Sequence, residues 1–238
     1  MSSPEPAVIR VLEVCSGTGS ISKFCARYPG RFEVTSVDIA SVNGFKPTIK
    51  TDLLTWDFVK AVPVGYYHLV WASPPCTMFS AARTKASTPR DLNGADHMVQ
   101  RCLNIIAHCR PLYWFLENPA TGMLPCRTVV SGLKGHEVHY CQYDCPFKKP
   151  TMIWTNVPGW KPKLCPLVGC KQMIEGTQRH HATMSSQNKY LVEGQSNLKN
   201  KWEIGKIPPL MLHELWNCVA HAEGWQPFAR PRKSKAHP

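Results

Sequence analysis

Acid is what this sequence has least of. Only 16 Asp and Glu stand against 28 Lys and Arg in 238 residues, giving a formal net charge of +12 and a pI near 9.3. The imbalance argues against a cationic partner and for a polyanionic one, because neutralising phosphates releases condensed counterions. It is also uneven. Residues 141–206 carry ten Lys or Arg against four acids, and Arg230-Pro231-Arg232-Lys233-Ser234-Lys235 has none. That last stretch reads as a disordered nucleic-acid arm or a nuclear address. Long apolar runs are missing too: nothing approaches the ~20 consecutive apolar residues that a spanning helix needs. Met1-Ser2-Ser3-Pro4-Glu5-Pro6 has neither a basic flank nor an apolar core, so a secretory leader is not expected. The reading is an intracellular, soluble protein: nuclear in a eukaryote, otherwise in the cytoplasm or nucleoid, or in a virus-infected host cell. The 11 cysteines are odd in number, and the chain is too long to need disulfide staples, so most are expected to be reduced core residues. No internal repeat is present, and the length suits one domain with a small insertion, read as a monomer.

What is there is an alternation of β-branched apolar runs with helical spacers, the pattern of an α/β fold with a mainly parallel sheet flanked by helices. Strands are expected near 8–14, 32–37, 68–71, 112–116, 137–141 and 152–155. Val99, Cys102, Ile106 and Cys109 share one face of a helix over 95–109, with Asp91 or Asn93 as its cap. Pro208-Pro209 opens a last helix to about His221, buried through Leu212, Leu215, Trp216 and Val219. Residues 158–201 are polar, broken by Pro and Gly, and without sustained periodicity, as in an irregular recognition insertion. The expected division is a core over 1–157, the insertion over 158–201, a closing helix returning to the core over 202–226 and a basic tail over 227–238.

Two ends of that sheet carry chemistry. Glu13-Val14-Cys15-Ser16-Gly17-Thr18-Gly19 runs from a strand through a Gly-x-Gly turn toward a helix, where backbone amides meet nucleotide-like ligands. No Gly-Lys-Ser/Thr follows, which excludes a phosphate-binding P-loop, and the third glycine of a dinucleotide fingerprint is lacking. Asp38 lies 19 residues beyond Gly19, at the end of the next expected strand. A carboxylate there suits both hydroxyls of a ribose, in a nicotinamide nucleotide or in S-adenosylmethionine. Asp52 closes a third such position, suited to an adenine amino group.

The other end is Ala72-Ser73-Pro74-Pro75-Cys76-Thr77-Met78-Phe79-Ser80, an apolar run stopped by two prolines that hold a thiol on a stiff turn. Trp114-Phe115-Leu116-Glu117-Asn118-Pro119 repeats the design with a carboxylate. As parallel neighbours the two would bring Cys76 and Glu117 to one sheet edge. A thiolate beside a carboxylic acid, with no histidine placed to activate it, makes a poor protease. It suits addition to an electron-poor ring whose nitrogen must be engaged as the thiolate adds. Cytosine is such a ring: a thiolate at C6 and an acid at N3 make C5 nucleophilic enough to take a methyl group.

At these residues the chain resembles the C5-cytosine methyltransferase family, over most of its length. The Gly-x-Gly turn with Glu13 resembles the family's first motif, Asp38 its second and Asp52 its third. Pro75-Cys76-Thr77-Met78-Phe79-Ser80 resembles Pro-Cys-Gln-x-Phe-Ser, and Glu117-Asn118-Pro119 resembles Glu-Asn-Val. Gly205-Lys206-Ile207-Pro208-Pro209 resembles the closing motif that walls the cofactor pocket. The resemblance implies a class-I, Rossmann-like fold and S-adenosylmethionine held by Glu13, Cys15, Ser16, Gly17, Thr18, Gly19, Asp38, Ile39, Asp52, Leu53 and Pro74. It implies methylation of cytosine C5 in DNA, with base flipping, Cys76 as nucleophile, Glu117 as N3 partner and Ser80 and Arg83 near the sugar-phosphate. Tyr143 to Thr151 departs from the family's Tyr-Gly-x-Pro-Gln-x-Arg-x-Arg segment: Phe147 replaces Gln, and Lys149 and Thr151 replace the two arginines. Lys149 is then a weaker substitute, since lysine cannot clamp a carboxylate bidentately. An RNA cytosine methyltransferase and a silent nucleic-acid binder are the rival readings. Within the insertion, Cys165-x4-Cys170 and His180-His181 offer ligands for a structural zinc, with Cys141 and Cys145 able to complete or compete for it.

Overall fold

A computed structural model describes residues 5–81, 83, 86–166, 168–184, 190–198 and 201–230, Lys201 by its backbone only. Seven strands make one sheet: β1 (Ile9–Val14), β2 (Phe32–Asp38), β3 (Ile49–Lys50), β4 (Leu69–Ala72), β5 (Tyr113–Pro119), β6 (Gly135–His139) and β7 (Pro150–Thr155). Their order is β3-β2-β1-β4-β5-β7-β6. β1 to β5 pair in parallel, and β7 runs antiparallel to both β5 and β6. The strand order reverses between β1 and β4, and the carboxyl ends of β1, β2, β4 and β5 gather at one edge beside that switch point, where open α/β sheets bind ligands.

Strand alternation explains the layering. Ile9 and Val11, Leu69 and Trp71, and Tyr113 and Phe115 face one cluster, packed on α1 (Ser20–Cys25) and α5 (Pro209–Glu223). Leu12 and Val14, Val70 and Ala72, and Leu116 face the other, packed on α2 (Phe58–Ala61) and α3 (Leu92–Cys109). A sheet covered on both faces needs apolar residues at successive positions, which is why its inner strands read as continuous runs. Trp71, Phe115 and Trp216 form an aromatic triad, with ring centroids 5.1 Å (Trp71–Phe115), 5.3 Å (Phe115–Trp216) and 6.1 Å (Trp71–Trp216) apart. The expected helix over 95–109 starts earlier, at Leu92, because the Asp91 carboxylate accepts Gly94 N–H at 2.8 Å and caps it.

Three expectations shift. The strand expected over 137–141 ends at His139, and Cys141 lies in a 3-10 turn, Tyr140–Tyr143. The insertion contains one short parallel pair, β8 (Ala182–Thr183) with β9 (Ser196–Asn197), and is followed by α4 (Lys201–Gly205). The core also extends past 226: Phe228 is buried, its N–H donating to Asn217 Oδ1 at 2.7 Å and its ring stacked on Phe32. The rest of the basic tail, 231–238, lies outside the described residues. Glu214 of α5 fastens the start of the insertion by accepting from Tyr143 OH, Trp160 Nε1 and Lys163 Nζ. Among the described residues no helix is long and apolar enough to cross a membrane.

Candidate active site

The turn after β1 is built around Glu13. Strand alternation puts it on the same face as Ile9 and Val11, toward α1, where it is buried. There its carboxylate accepts Ile21 N–H at 3.0 Å, Ser22 N–H at 3.1 Å and Ser22 Oγ–H at 2.5 Å, taking up amides at the start of α1. Burial pushes its pKa up, and the three hydrogen bonds work against that shift. The turn itself is sharply wound, with left-handed backbone at Cys15 (φ 54°), Gly17 (51°) and Gly19 (70°). Asp38, at the end of neighbouring β2, accepts Gly17 N–H at 2.8 Å and Ala40 N–H at 3.1 Å. One carboxylate thus fixes the turn, while four acceptor lone pairs leave it capacity for a ligand's hydroxyls.

The thiol and the second carboxylate come from β4 and β5. Cys76 is half-buried past the end of β4, and Phe79 N–H closes a turn onto its carbonyl at 3.0 Å. Glu117 sits within β5, buried, and its Oε1 accepts from Tyr140 OH and from Lys149 Nζ, each at 3.2 Å. Oε2 accepts from none of the described residues. Lys149 is itself buried and lies 4.7 Å from the centre of the Tyr140 ring. Asn118 joins the two turns: its Nδ2 donates to Pro74 O at 2.9 Å, while its buried Oδ1 meets no donor among the described residues. Burial, followed by the charge of Glu117, raises the Cys76 thiol above its ordinary pKa, and Lys149 pulls it back.

These groups line one cleft of about 430 Å³: Glu13, Cys15, Ser16, Gly17, Thr18 and Asp38 on one side, Pro74, Cys76, Glu117 and Lys149 on the other. Its wall is completed by Trp202, Ile204, Gly205 and Ile207, and Ile207 N–H donates to Ser20 Oγ at 3.1 Å. Other expected site residues stand outside that lining. Gly19 is packed against the Phe45 ring, and Ile39 is exposed just beyond Asp38. Asp52 closes a local turn by accepting Leu54 N–H at 2.9 Å, and Leu53 is buried in the core with its carbonyl on Arg101 Nε. Ser80 O accepts Arg83 N–H at 3.3 Å, and the Arg83 guanidinium donates to Thr88 O and Pro89 O. In the insertion, Cys165, Cys170 and His180 converge with Cys141, whereas His181 is exposed and pairs through its N–H with Gln172 O.

No protein-family model matches the chain. It is 33% identical over 168 residues to a probable DNA (cytosine-5)-methyltransferase of Frog virus 3 (isolate Goorha), an alignment covering 66% of this chain and 75% of the viral protein. The chain belongs to the DNA (cytosine-5)-methyltransferase family. Solved structures with a related shape include the Dnmt2 methyltransferase of S. pombe (19% identity, 66% of this chain and 52% of that one, TM-score 0.42). Another is the methyltransferase EhMeth of Entamoeba histolytica (16% identity, 67% and 56%, TM-score 0.49). The chain spans about half the length of these two.

At the position where the resembling motif has its first arginine, Lys149 places its ammonium 3.2 Å from Glu117 Oε1. Thr151 is buried with its hydroxyl on Lys149 O at 3.4 Å, and Phe147 has joined the core. The sequence reading missed Tyr140, which supplies the second hydrogen bond to Glu117. An aromatic in an apolar run gives no sign that its hydroxyl meets a carboxylate 23 residues earlier. It also missed Trp202 and Ile204, whose signal was their place just before the closing Gly205-Lys206-Ile207.

Proposed function

We propose that this chain methylates C5 of cytosine in DNA, with S-adenosylmethionine as methyl donor and a transient bond between Cys76 Sγ and C6 of the base. The observation that carries this reading is a single cleft that holds Cys76 and a doubly supported Glu117 opposite the Asp38 turn. The cleft fits the donor. Its volume lies within the roughly 300–1,000 Å³ of small-molecule sites. Asp38 offers a carboxylate at a strand end for the ribose, and Trp202, Ile204 and Ile207 offer apolar surface to the rest. When bound, S-adenosylmethionine supplies an electrophilic methyl group.

The remaining chemistry belongs to the chain. The Cys76 thiolate adds to C6, forming the S–C6 bond, and the C5–C6 π electrons become available at C5 as Glu117 engages N3 through a proton. Lys149 and Tyr140 hold the Glu117 carboxyl in place, and Asn118 keeps its turn fixed to that of Cys76. Once C5 carries the methyl group, its proton passes to water, the C5–C6 double bond re-forms and the Cys76 thiolate leaves. A duplex hides C6 inside the stack, so the target base must be swung out to reach the thiol.

Trapping tests each part. A DNA duplex bearing 5-fluorocytosine has no C5 proton to lose, so with S-adenosylmethionine the adduct should survive denaturing electrophoresis. Cys76→Ser should abolish the band, and Glu117→Gln should slow its appearance by about 10²-fold or more, the scale of general acid–base catalysis, without preventing DNA binding. Adducts on RNA but not on DNA would move the substrate to RNA. Folded protein that binds nucleic acid yet traps neither would identify a silent binder.

A further inference from the structure

The middle of the recognition insertion lacks a core of ordinary kind. Its own buried cluster consists of Cys141, Cys165 and Cys170 with Met173 packed against it, and contains no aliphatic or aromatic side chain. Trp160 and Ala182 reach the main core, with Leu198 packed against it, and Glu214 holds the start of the insertion. Between them, the described residues from 164 to 180 have only these thiols and Met173 as a buried cluster, too little apolar area to fix that stretch by itself.

The thiols do not meet alone. His180, also buried, turns its Nε2 into the same spot, 3.6 Å from Cys165 Sγ and 3.7 Å from Cys170 Sγ, and the four ligand atoms of Cys141, Cys165, Cys170 and His180 lie within 4.8 Å of one another. Around a tetrahedral zinc with bonds of about 2.3 Å to sulfur and 2.0–2.1 Å to nitrogen, sulfur and nitrogen sit roughly 3.6 Å apart. Both separations match that edge. All cysteines are free, so no disulfide explains the convergence. The surroundings are those of a ligated site as well. Gln142 Nε2 lies 3.2 Å from Cys170 Sγ as a donor, His139 Nδ1 accepts Cys165 N–H at 2.8 Å, and Gln195 Nε2 donates to the His180 carbonyl at 2.9 Å.

We propose that Cys141, Cys165, Cys170 and His180 bind one zinc ion, and that this ion fastens the recognition insertion to the catalytic core. Four protein ligands close the coordination sphere, so the role is structural. Binding releases the protons of whichever thiols are still protonated and leaves a Zn(II) centre with three thiolates and a neutral imidazole. Three ligands belong to the insertion. The fourth, Cys141, comes from the 3-10 turn whose first residue, Tyr140, donates to Glu117. The metal therefore ties the element that meets nucleic acid to the one that steadies the catalytic carboxylate. The ligand set differs from the one the sequence suggested: Cys141 takes the place of His181, because the turn through 173–180 aims His180 inward and leaves its neighbour outside.

The proposal does not depend on the methyltransferase reading, and its test is metal content. The chain, purified under reductant without a polyhistidine tag from zinc-replete cells, should carry one zinc per molecule by native mass spectrometry and elemental analysis. Refolding with Co(II) in place of zinc should give the intense d–d and thiolate charge-transfer bands of a tetrahedral sulfur-rich site, a readout that needs no variant. Cys165→Ser and His180→Asn should each lower zinc retention by at least tenfold in chelator competition, while Cys145→Ser and His181→Asn keep one zinc. Folded, reduced wild type that holds no stoichiometric zinc, or that takes up Co(II) without thiolate bands, would overturn the proposal. So would a folded Cys165→Ser/Cys170→Ser variant that keeps its metal.

Discussion

Cys76 works against its surroundings. Burial and the Glu117 carboxylate both favour the thiol over the thiolate, and among the described residues the charge of Lys149 favours the thiolate, helped by a backbone hydrogen bond. Because the folded pKa lies above the ordinary thiol value, the reactive fraction is small at neutral pH and grows as pH rises. Adduct formation with 5-fluorocytosine should therefore accelerate from neutral into mildly alkaline solution. Lys149→Met removes the lowering charge, so its rate-versus-pH curve should move to higher pH. At neutral pH it should be about tenfold slower for each unit by which the thiol pKa rises, whereas Lys149→Arg should stay near wild type. A profile unmoved by Lys149→Met would mean that Lys149 serves Glu117 alone. Cys76, Glu117 and Asp38 were expected at one sheet edge because each lies at or near the end of an apolar run, and the structure brings all three to one cleft. Tyr140 and the Asn118 bridge were not, since both depend on which strands lie side by side.

At the scale of elements, the β1–α1 turn shows what its glycines are for. Gly17 and Gly19 both have positive φ, but a Cβ at Gly17 would meet nothing within 4 Å, whereas one at Gly19 would overlap the Phe45 ring. Gly17→Ala should thus cost about 1–2 kcal/mol, the left-handed penalty for an L-residue. Gly19→Ala should cost more, because the loop carrying Phe45 must also move, and the difference between the two urea midpoints measures that overlap. Equal losses would mean that Phe45 yields freely. Helix α3 was readable from its stripe of Val99, Cys102, Ile106 and Cys109, and its start depended on which of two candidate residues capped it. The reversed direction of β7 was beyond reach: strand propensity marks an extended apolar run but carries no sign for its direction. The end of β6 was misplaced for a related reason, since Tyr140 and Cys141 are as apolar in a tight turn as in a strand.

Over the whole molecule, the excess of positive charge is not uniformly available to a polyanion. Lys149 is buried on Glu117, and Lys163 is paired with Glu214 to fasten the insertion to α5. Counting lysines in the sequence could not reveal this, because both partners lie far away along the chain. Among the described residues, Lys148, Lys161 and Lys171 have no acid within ion-pair distance; Lys161 and Lys171 are exposed and Lys148 is half-buried. Lys148 precedes the insertion, Lys161 stands near its start and Lys171 lies within it, and these three are the side chains expected to meet phosphates. Each phosphate contact they make should contribute about one unit to the slope of log affinity against log salt. Replacing all three with glutamine should therefore flatten that slope by up to about three units and weaken binding to any duplex sequence alike. Lys163→Gln should leave the slope nearly unchanged while loosening the insertion, visible as a lower thermal midpoint. Fluorescence anisotropy of a labelled duplex over a range of salt concentrations separates the two outcomes. A slope unaffected by the triple substitution would move the phosphate-binding surface elsewhere, with Arg230 and the basic residues after it as the next segment to neutralise.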